Sequence, residues 1–178
     1  MVSKREIVEA AKKVKLLILD VDGVLTDGSI ILDNEANEVK SFHVRDGHGL
    51  KLLAGNGVDV AIITGRYSRV VERRARELGI REVYQKCFNK VVAYEELKNK
   101  YSLRDEDIAY IGDDIVDIPI LKRAGFPVAV MDADNNVKDY SLMVTENKGG
   151  RGAVREVTDL ILKAKGLWES IIDGYRKA

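Results

Sequence analysis

Leu16-Leu17-Ile18-Leu19-Asp20-Val21-Asp22-Gly23-Val24-Leu25-Thr26 is the stretch that decides the fold. An aliphatic run ends abruptly in two carboxylates spaced two apart. Such a run reads as a strand buried on both faces, as in a parallel sheet. Side chains at i and i+2 of a strand point the same way. Asp20 and Asp22 therefore converge at the strand's carboxyl end, where open α/β sheets place their ligands. Close carboxylates repel, and each is costly to desolvate. A single Asp before a turn ordinarily just ends a strand, but a pair implies a cation between them or a shared proton.

Working outward, strand-like runs alternate with helical periods. Ser29-Ile30-Ile31-Leu32 and Glu38-Val39-Lys40-Ser41-Phe42-His43 flank the turn formers Asp33 to Asn37, which predicts a β-hairpin. A helix follows over Asp46 to Gly57. Val58 to Ile63 reads as a strand ending at Thr64-Gly65-Arg66, and Ser68 caps a helix closed by Gly79. Glu82 to Tyr84 is a short strand, and Asn89 caps a helix running to Lys100. Asp107 to Ile111 is a strand leading to Gly112-Asp113-Asp114. Pro119 suits the first turn of the next helix, which Gly125 ends. Pro127 to Val130 and Leu142 to Val144 are further strands. Gly149-Gly150-Arg151-Gly152 leads into a last helix. The pattern predicts an α/β fold, a Rossmann-like doubly wound parallel sheet with helices on both faces and a projecting β-hairpin. It predicts one domain over 1–178, with the hairpin at about 28–44 and a C-terminal tail at about 166–178.

Composition narrows the function. The 178 residues suit a single domain, and Lys+Arg and Asp+Glu both count 29. With no basic excess, neither nucleic acid nor an anionic membrane is an expected partner. The polar, helical pattern of Met1 to Val14 predicts neither signal peptide nor membrane anchor. Cys87 is the sole cysteine, so no internal disulfide is expected, which fits a cytoplasmic location.

Four predicted strand ends carry reactive groups on one sheet edge: Asp20 and Asp22, then Thr64, then Lys90 near a helix start, then Asp113, Asp114 and Asp117. Five carboxylates around one ammonium and one hydroxyl need a cation. An all-oxygen set suits Mg²⁺ better than zinc, and a metal-bridged carboxylate pocket is a natural receiver for a phosphate ester.

The set Asp20-x-Asp22-Gly-Val-Leu-Thr, Thr64-Gly-Arg66, Lys90 and Gly112-Asp113-Asp114-x-x-Asp117 resembles the four motifs of the haloacid-dehalogenase-like superfamily, in its phosphatase branch. More narrowly, Asp20 to Gly28, Phe42-x-Val44-Arg45-Asp46-Gly47-x-Gly49 and Gly149-Gly150-x-Gly152-Ala153-Val154-Arg155-Glu156 resemble the 3-deoxy-D-manno-octulosonate 8-phosphate phosphatases. The resemblance implies that Asp20 attacks phosphorus to form an aspartyl-phosphate. Asp22 would protonate the leaving alkoxide and then activate water. Thr64 and Lys90 would hold the phosphoryl oxygens. Asp20, the Asp22 backbone carbonyl and Asp113 would bind Mg²⁺, with Asp114 acting through the metal shell and Asp117 orienting Lys90. The implied substrate is a sugar-acid phosphate, first of all 3-deoxy-D-manno-octulosonate 8-phosphate of lipopolysaccharide precursor synthesis. A nine-carbon sugar-acid phosphate is the alternative. The chain has no room for a large cap domain between Gly28 and Asp46 or between Arg66 and Lys90. A lid from another subunit is therefore expected, and the resemblance implies a homotetramer built on the hairpins.

Thr64, Gly65, Arg66 and Lys90 line the expected substrate site. Arg66, Arg45 and Arg151 are each either a partner of the substrate carboxylate or a surface arginine. Asp114 and Asp117 also fit simple helix capping. His43, His48 and Cys87 read as packing residues. A phospho-acceptor or regulatory domain is the rival class. A receiver domain, however, puts its acceptor Asp where this chain has Thr64, and a homologue without turnover has no need of both Asp20 and Asp22. The tail carries Leu167, Trp168, Ile171, Ile172 and Tyr175. It is expected to dock near a pocket, its own or a neighbour's, or else to extend the last helix over its own sheet.

Overall fold

The computed structural model describes residues 2–177. Ser3 caps α1 (Lys4–Lys13) through a reciprocal pair with Glu6. β1 (Leu16–Leu19) follows, with every residue buried. It pairs in parallel with β4 (Asp59–Ile63) on one side and β6 (Ile108–Gly112) on the other. β5 (Glu82–Tyr84) extends the sheet beyond β4. β7 (Phe126–Ala129) and β8 (Met143–Val144) extend it beyond β6. The six-stranded order is β5-β4-β1-β6-β7-β8, all parallel.

Right-handed crossovers bury both faces of the sheet. α2 (Val44–Gly55), α3 (Arg69–Leu78) and α7 (Ala153–Ala164) join α1 on one face. α4 (Lys90–Lys100), α5 (Ile118–Leu121) and α6 (Asn135–Lys138) cover the other. Strand order reverses between β1 and β6, which is where such sheets open a ligand crevice. Leu17, Ile18, Leu19, Ile63, Ile111 and Phe126 form the fully buried centre. Burial of each side chain of this size is worth roughly 1.5–3 kcal/mol. That leaves the sheet edge rigid.

The hairpin is smaller than the alternation suggests. β2 (Ile31–Leu32) and β3 (Glu38–Val39) pair over two residues each. The Asp33 carboxylate closes the turn by accepting the Glu35 and Asn37 backbone N–H groups at 2.9 and 2.8 Å. Among the described residues no second layer covers the ribbon, so nothing lengthens the pairing. α5 likewise stops at Leu121 rather than at Gly125.

The tail is a separate helix. Gly166 at φ +73° reverses the chain, and α8 (Trp168–Lys177) folds back along α7. Leu167, Trp168 and Ile171 pack on the core, and Arg155 and Lys163 lie over the Trp168 ring. The Tyr175 hydroxyl sits 3.3 Å from His48 Nε2 near the start of α2. The tail thus docks on its own chain without continuing α7. No helix among the described residues is long and apolar enough to cross a membrane.

Candidate active site

A cleft of about 390 Å³ opens at the carboxyl edge of the sheet, lined by Asp20, Asp22, Thr64, Gly65, Arg66, Lys90, Asp113 and Asp114. Gly28, Cys87, Phe88 and Val116 complete it. The four strand ends marked in the sequence do meet here. Ladder bonds run right up to the edge: Asp20 N–H donates to Ile111 at 3.1 Å, and Thr64 N–H to Tyr84 at 2.9 Å. Lys90 is the first residue of α4, behind the Asn89 cap.

At the floor, the Lys90 ammonium lies 2.8 Å from Asp20 Oδ2 and 2.6 Å from Asp117 Oδ1. Burial works against the charge on Lys90, but the two carboxylates outweigh it and raise its pKa. Tyr110 donates to the same Asp117 Oδ1 at 2.6 Å. Asp117 Oδ2 accepts the backbone N–H groups of Asp113 and Asp114 at 3.0 and 3.3 Å. A carboxylate has about four lone-pair sites, and those of Asp117 are all used. Asp117 therefore positions Lys90 and the β6 turn and has nothing left for a metal, although its oxygens lie within 4.8 Å of those of Asp20 and Asp113.

Asp20 and Asp113 have capacity to spare. Asp20 Oδ1 accepts the Val21 N–H at 2.7 Å, which leaves lone pairs facing the cleft. Its carboxyl is pushed up to about 6, by burial first, against the pull of Lys90. Asp113 is pushed up to about 8 by burial and by the charges of Asp20 and Asp117. Its Oδ1 is buried with no hydrogen-bond partner. An orphaned buried oxygen beside a second carboxylate is what a hard divalent cation would satisfy. The residues fit Mg²⁺. Gly23 keeps the site open, because a Cβ there would stand 2.0 Å from Asp113 Oδ2.

Asp22 also lines the cleft, but its partners lie on the hairpin side. Its side chain pairs with Lys40 at the end of the hairpin. Arg66 Nε lies 4.0 Å from Asp22 Oδ2, and Arg66 also reaches Glu38 at 3.2 Å. Lys40 lies 3.3 Å from Glu38. Burial pushes Glu38 up, but hydrogen bonds from Ser68 and Lys40 and the two cations hold it below its ordinary value. The Asp22 carboxylate is thus held by cations from the hairpin and from the turn after β4. Asp114 is turned outward, and its carboxylate accepts the Ile115 N–H at 2.7 Å.

Arg45 is exposed on α2 with no ion-pair partner among the described residues, and Arg151 pairs with Asp27 at 3.2 Å. Neither lines the cleft of its own chain; Arg66 does. Cys87 borders the cleft with its thiol pushed up by burial. Asp46 is buried and clamps the start of α7, accepting from Arg155 N–H at 2.8 Å and Gly152 N–H at 3.3 Å. This seats the Gly149–Gly152 loop beneath the Asp20–Gly28 turn, where Gly150 N–H donates to Val24 at 2.8 Å. A Cβ on Gly149 would strike the Gly23 carbonyl.

Sequence reasoning missed Tyr110, Glu38 and Lys40. A hydroxyl inside an otherwise aliphatic buried strand, two residues before Gly112, was the available signal for Tyr110. For Glu38 and Lys40 it was the i, i+2 spacing that puts both on one face of a strand.

Comparison with known proteins places this geometry. The model of the haloacid dehalogenase-like hydrolases matches residues 78–157. The 3-deoxy-D-manno-octulosonate 8-phosphate phosphatase KdsC of Yersinia pestis is 48% identical over 160 residues, covering 90% of this chain and 86% of its own. Its Escherichia coli (strain K12) counterpart is 45% identical over 161 residues, with the same coverage of 90% and 86%. A Moraxella catarrhalis 3-deoxy-D-manno-octulosonate 8-phosphate phosphatase, solved with magnesium ion, phosphate ion and KDO, superposes with a TM-score of 0.95 at 42% identity, over 97% of this chain and 99% of that one.

Proposed function

The chain belongs to the haloacid dehalogenase-like hydrolases, and on that premise we propose that it is the Mg²⁺-dependent phosphatase that converts 3-deoxy-D-manno-octulosonate 8-phosphate to 3-deoxy-D-manno-octulosonate and phosphate. This is the step of lipopolysaccharide precursor synthesis that the sequence resemblance implies. The observation that carries the reading is the pairing of Asp20 with Lys90 beside the orphaned Asp113 oxygen, in a chain 48% identical to such a phosphatase.

Asp20 is the nucleophile, with lone pairs free toward the cleft. Lys90 and Thr64 hold phosphoryl oxygens and offset the charge that moves onto them. Asp22 is the general acid, then the base, at the cleft mouth. Asp20, Asp113 and the Asp22 carbonyl would hold Mg²⁺, with Asp114 acting through the metal shell and Asp117 supporting Lys90. Bound there, Mg²⁺ would neutralise the clustered carboxylates and withdraw charge from the phosphoryl group. Of the three arginines, Arg66 takes the substrate carboxylate, since it faces the cleft.

The finer assembly is also a proposal. Ile30, Ile31, Leu32 and Val39 are exposed on the hairpin, and Phe88 is 92% exposed at the cleft mouth. Exposed apolar groups on a short ribbon fit pairing with other copies. We infer a homotetramer whose hairpins wall neighbouring pockets, each copy lying in the cytoplasm. Sedimentation of a monomer that is fully active when dilute overturns it.

Phosphate release tests the activity. With Mg²⁺, the eight-carbon sugar-acid phosphate is expected to turn over faster than a nine-carbon one, and chelator is expected to stop both. Release from neither ester overturns the reading in favour of a non-catalytic phospho-acceptor.

A further inference from the structure

Lys40 has no part in the chemistry described so far, yet its side chain is only 1% exposed. A buried ammonium is costly unless it is paired. Here it is held between Asp22 and Glu38, while Arg66 bridges the same two carboxylates. Two cations and two anions close into one neutral group. Asp22 comes from the turn after β1, Glu38 and Lys40 from the hairpin, and Arg66 from the turn after β4.

Asp22 lies beyond the end of β1, with its side chain 25% exposed, and no backbone N–H of the described residues donates to its carboxylate. The Lys40 ammonium and Arg66 are therefore its anchors. We infer that Lys40 is a positioning residue, which holds the Asp22 carboxyl over the leaving-group oxygen while Glu38 keeps the ammonium in place. This rests on the phosphatase reading. In the first half-reaction an Asp20 oxygen bonds to phosphorus, the bond from phosphorus to the leaving oxygen breaks, and the Asp22 carboxyl gives that oxygen its proton. Glu38, 3.3 Å from the ammonium, keeps Lys40 paired while Asp22 carries the proton. In this first half-reaction, which kcat/KM reports, a drift of Asp22 harms only esters whose leaving group needs the proton.

The experiment compares kcat/KM for a sugar-acid phosphate, which leaves as an alkoxide, with that for an activated ester the wild type hydrolyses, p-nitrophenyl or acetyl phosphate. In Lys40→Met the alkyl ester is expected to lose about 10- to 100-fold and the activated ester less than about threefold, since general acid help is worth roughly 10² to 10⁴-fold. Lys40→Arg is expected to regain most of the ratio. If Lys40→Met does not fold, Lys40→Gln makes the same comparison. Equal losses on both esters, or no loss on either, overturn the inference while leaving the phosphatase reading intact. A wild type that hydrolyses no phosphate ester overturns both.

Discussion

Two charge clusters meet in this cleft, and their supports are unlike. The inner one joins Asp20, Lys90, Asp117 and Tyr110, all buried, on the ends of β1 and β6 and the start of α4. The outer one joins Asp22, Glu38, Lys40 and Arg66, and half of it hangs on strands two residues long. The inner cluster inherits its geometry from a core packed on both faces. The outer one depends on ion pairs and on whatever covers the hairpin.

Breaking the inner cluster gives the largest effects. Asp20→Asn is expected to abolish phosphate release, because an amide cannot replace the carboxylate as nucleophile. Lys90 keeps Asp117, so the melting temperature is not expected to fall. Near-normal turnover by the pure variant would refute the nucleophile. Lys90→Met leaves buried carboxylates without their cation. Losing one partner of a buried pair costs about 3–5 kcal/mol, so chemical denaturation should show a drop of that order together with loss of activity. An unchanged midpoint would mean that Tyr110 and the two backbone N–H groups suffice for Asp117.

The metal effect comes next. Asp113 stands at about 8 and Asp20 at about 6 in the metal-free fold, against about 4 for an unfolded Asp. Raised values mean that the folded chain binds these protons more tightly than the unfolded chain does. Their contribution is full below about pH 4 and is lost as pH climbs toward about 8. Metal-stripped protein should therefore melt several degrees lower at roughly pH 9 than at roughly pH 5. Asp113→Asn or added Mg²⁺ should flatten that slope. A melting temperature that rises over this range in stripped protein contradicts the carboxylate pocket.

The smallest effects lie outside. Arg66→Ala should raise KM for a sugar-acid phosphate by about 10-fold or more, since hydrogen bonds to charged groups are worth roughly 1.5–3 kcal/mol, and should also lower kcat, because Arg66 helps hold Asp22. Arg45→Ala, exposed and unpaired, should leave KM alone and shift stability by less than about 0.5 kcal/mol. The reverse order would mean that a neighbour's Arg45 completes the pocket.

The aliphatic run before Asp20, the alternation of strands and helices, and the order of the reactive residues were all readable one-dimensionally. Local periodicity, capping residues and strand ends are properties of neighbours in sequence. Hence Asp20, Thr64, Lys90 and Asp113 could be placed on one edge before any coordinates. Tertiary structure alone decided the rest. It filled all the lone pairs of Asp117 and orphaned one oxygen of Asp113. It buried Lys40 between two carboxylates, turned Arg45 and Arg151 away from their own cleft, and folded α8 back from Gly166. The charged part of this depends on how groups from distant segments share a low-dielectric space, and the place of α8 on how Leu167, Trp168 and Ile171 pack on the core. Only the packed sheet edge, which brings residues 20, 90, 113 and 117 within reach of one another, sets that sharing.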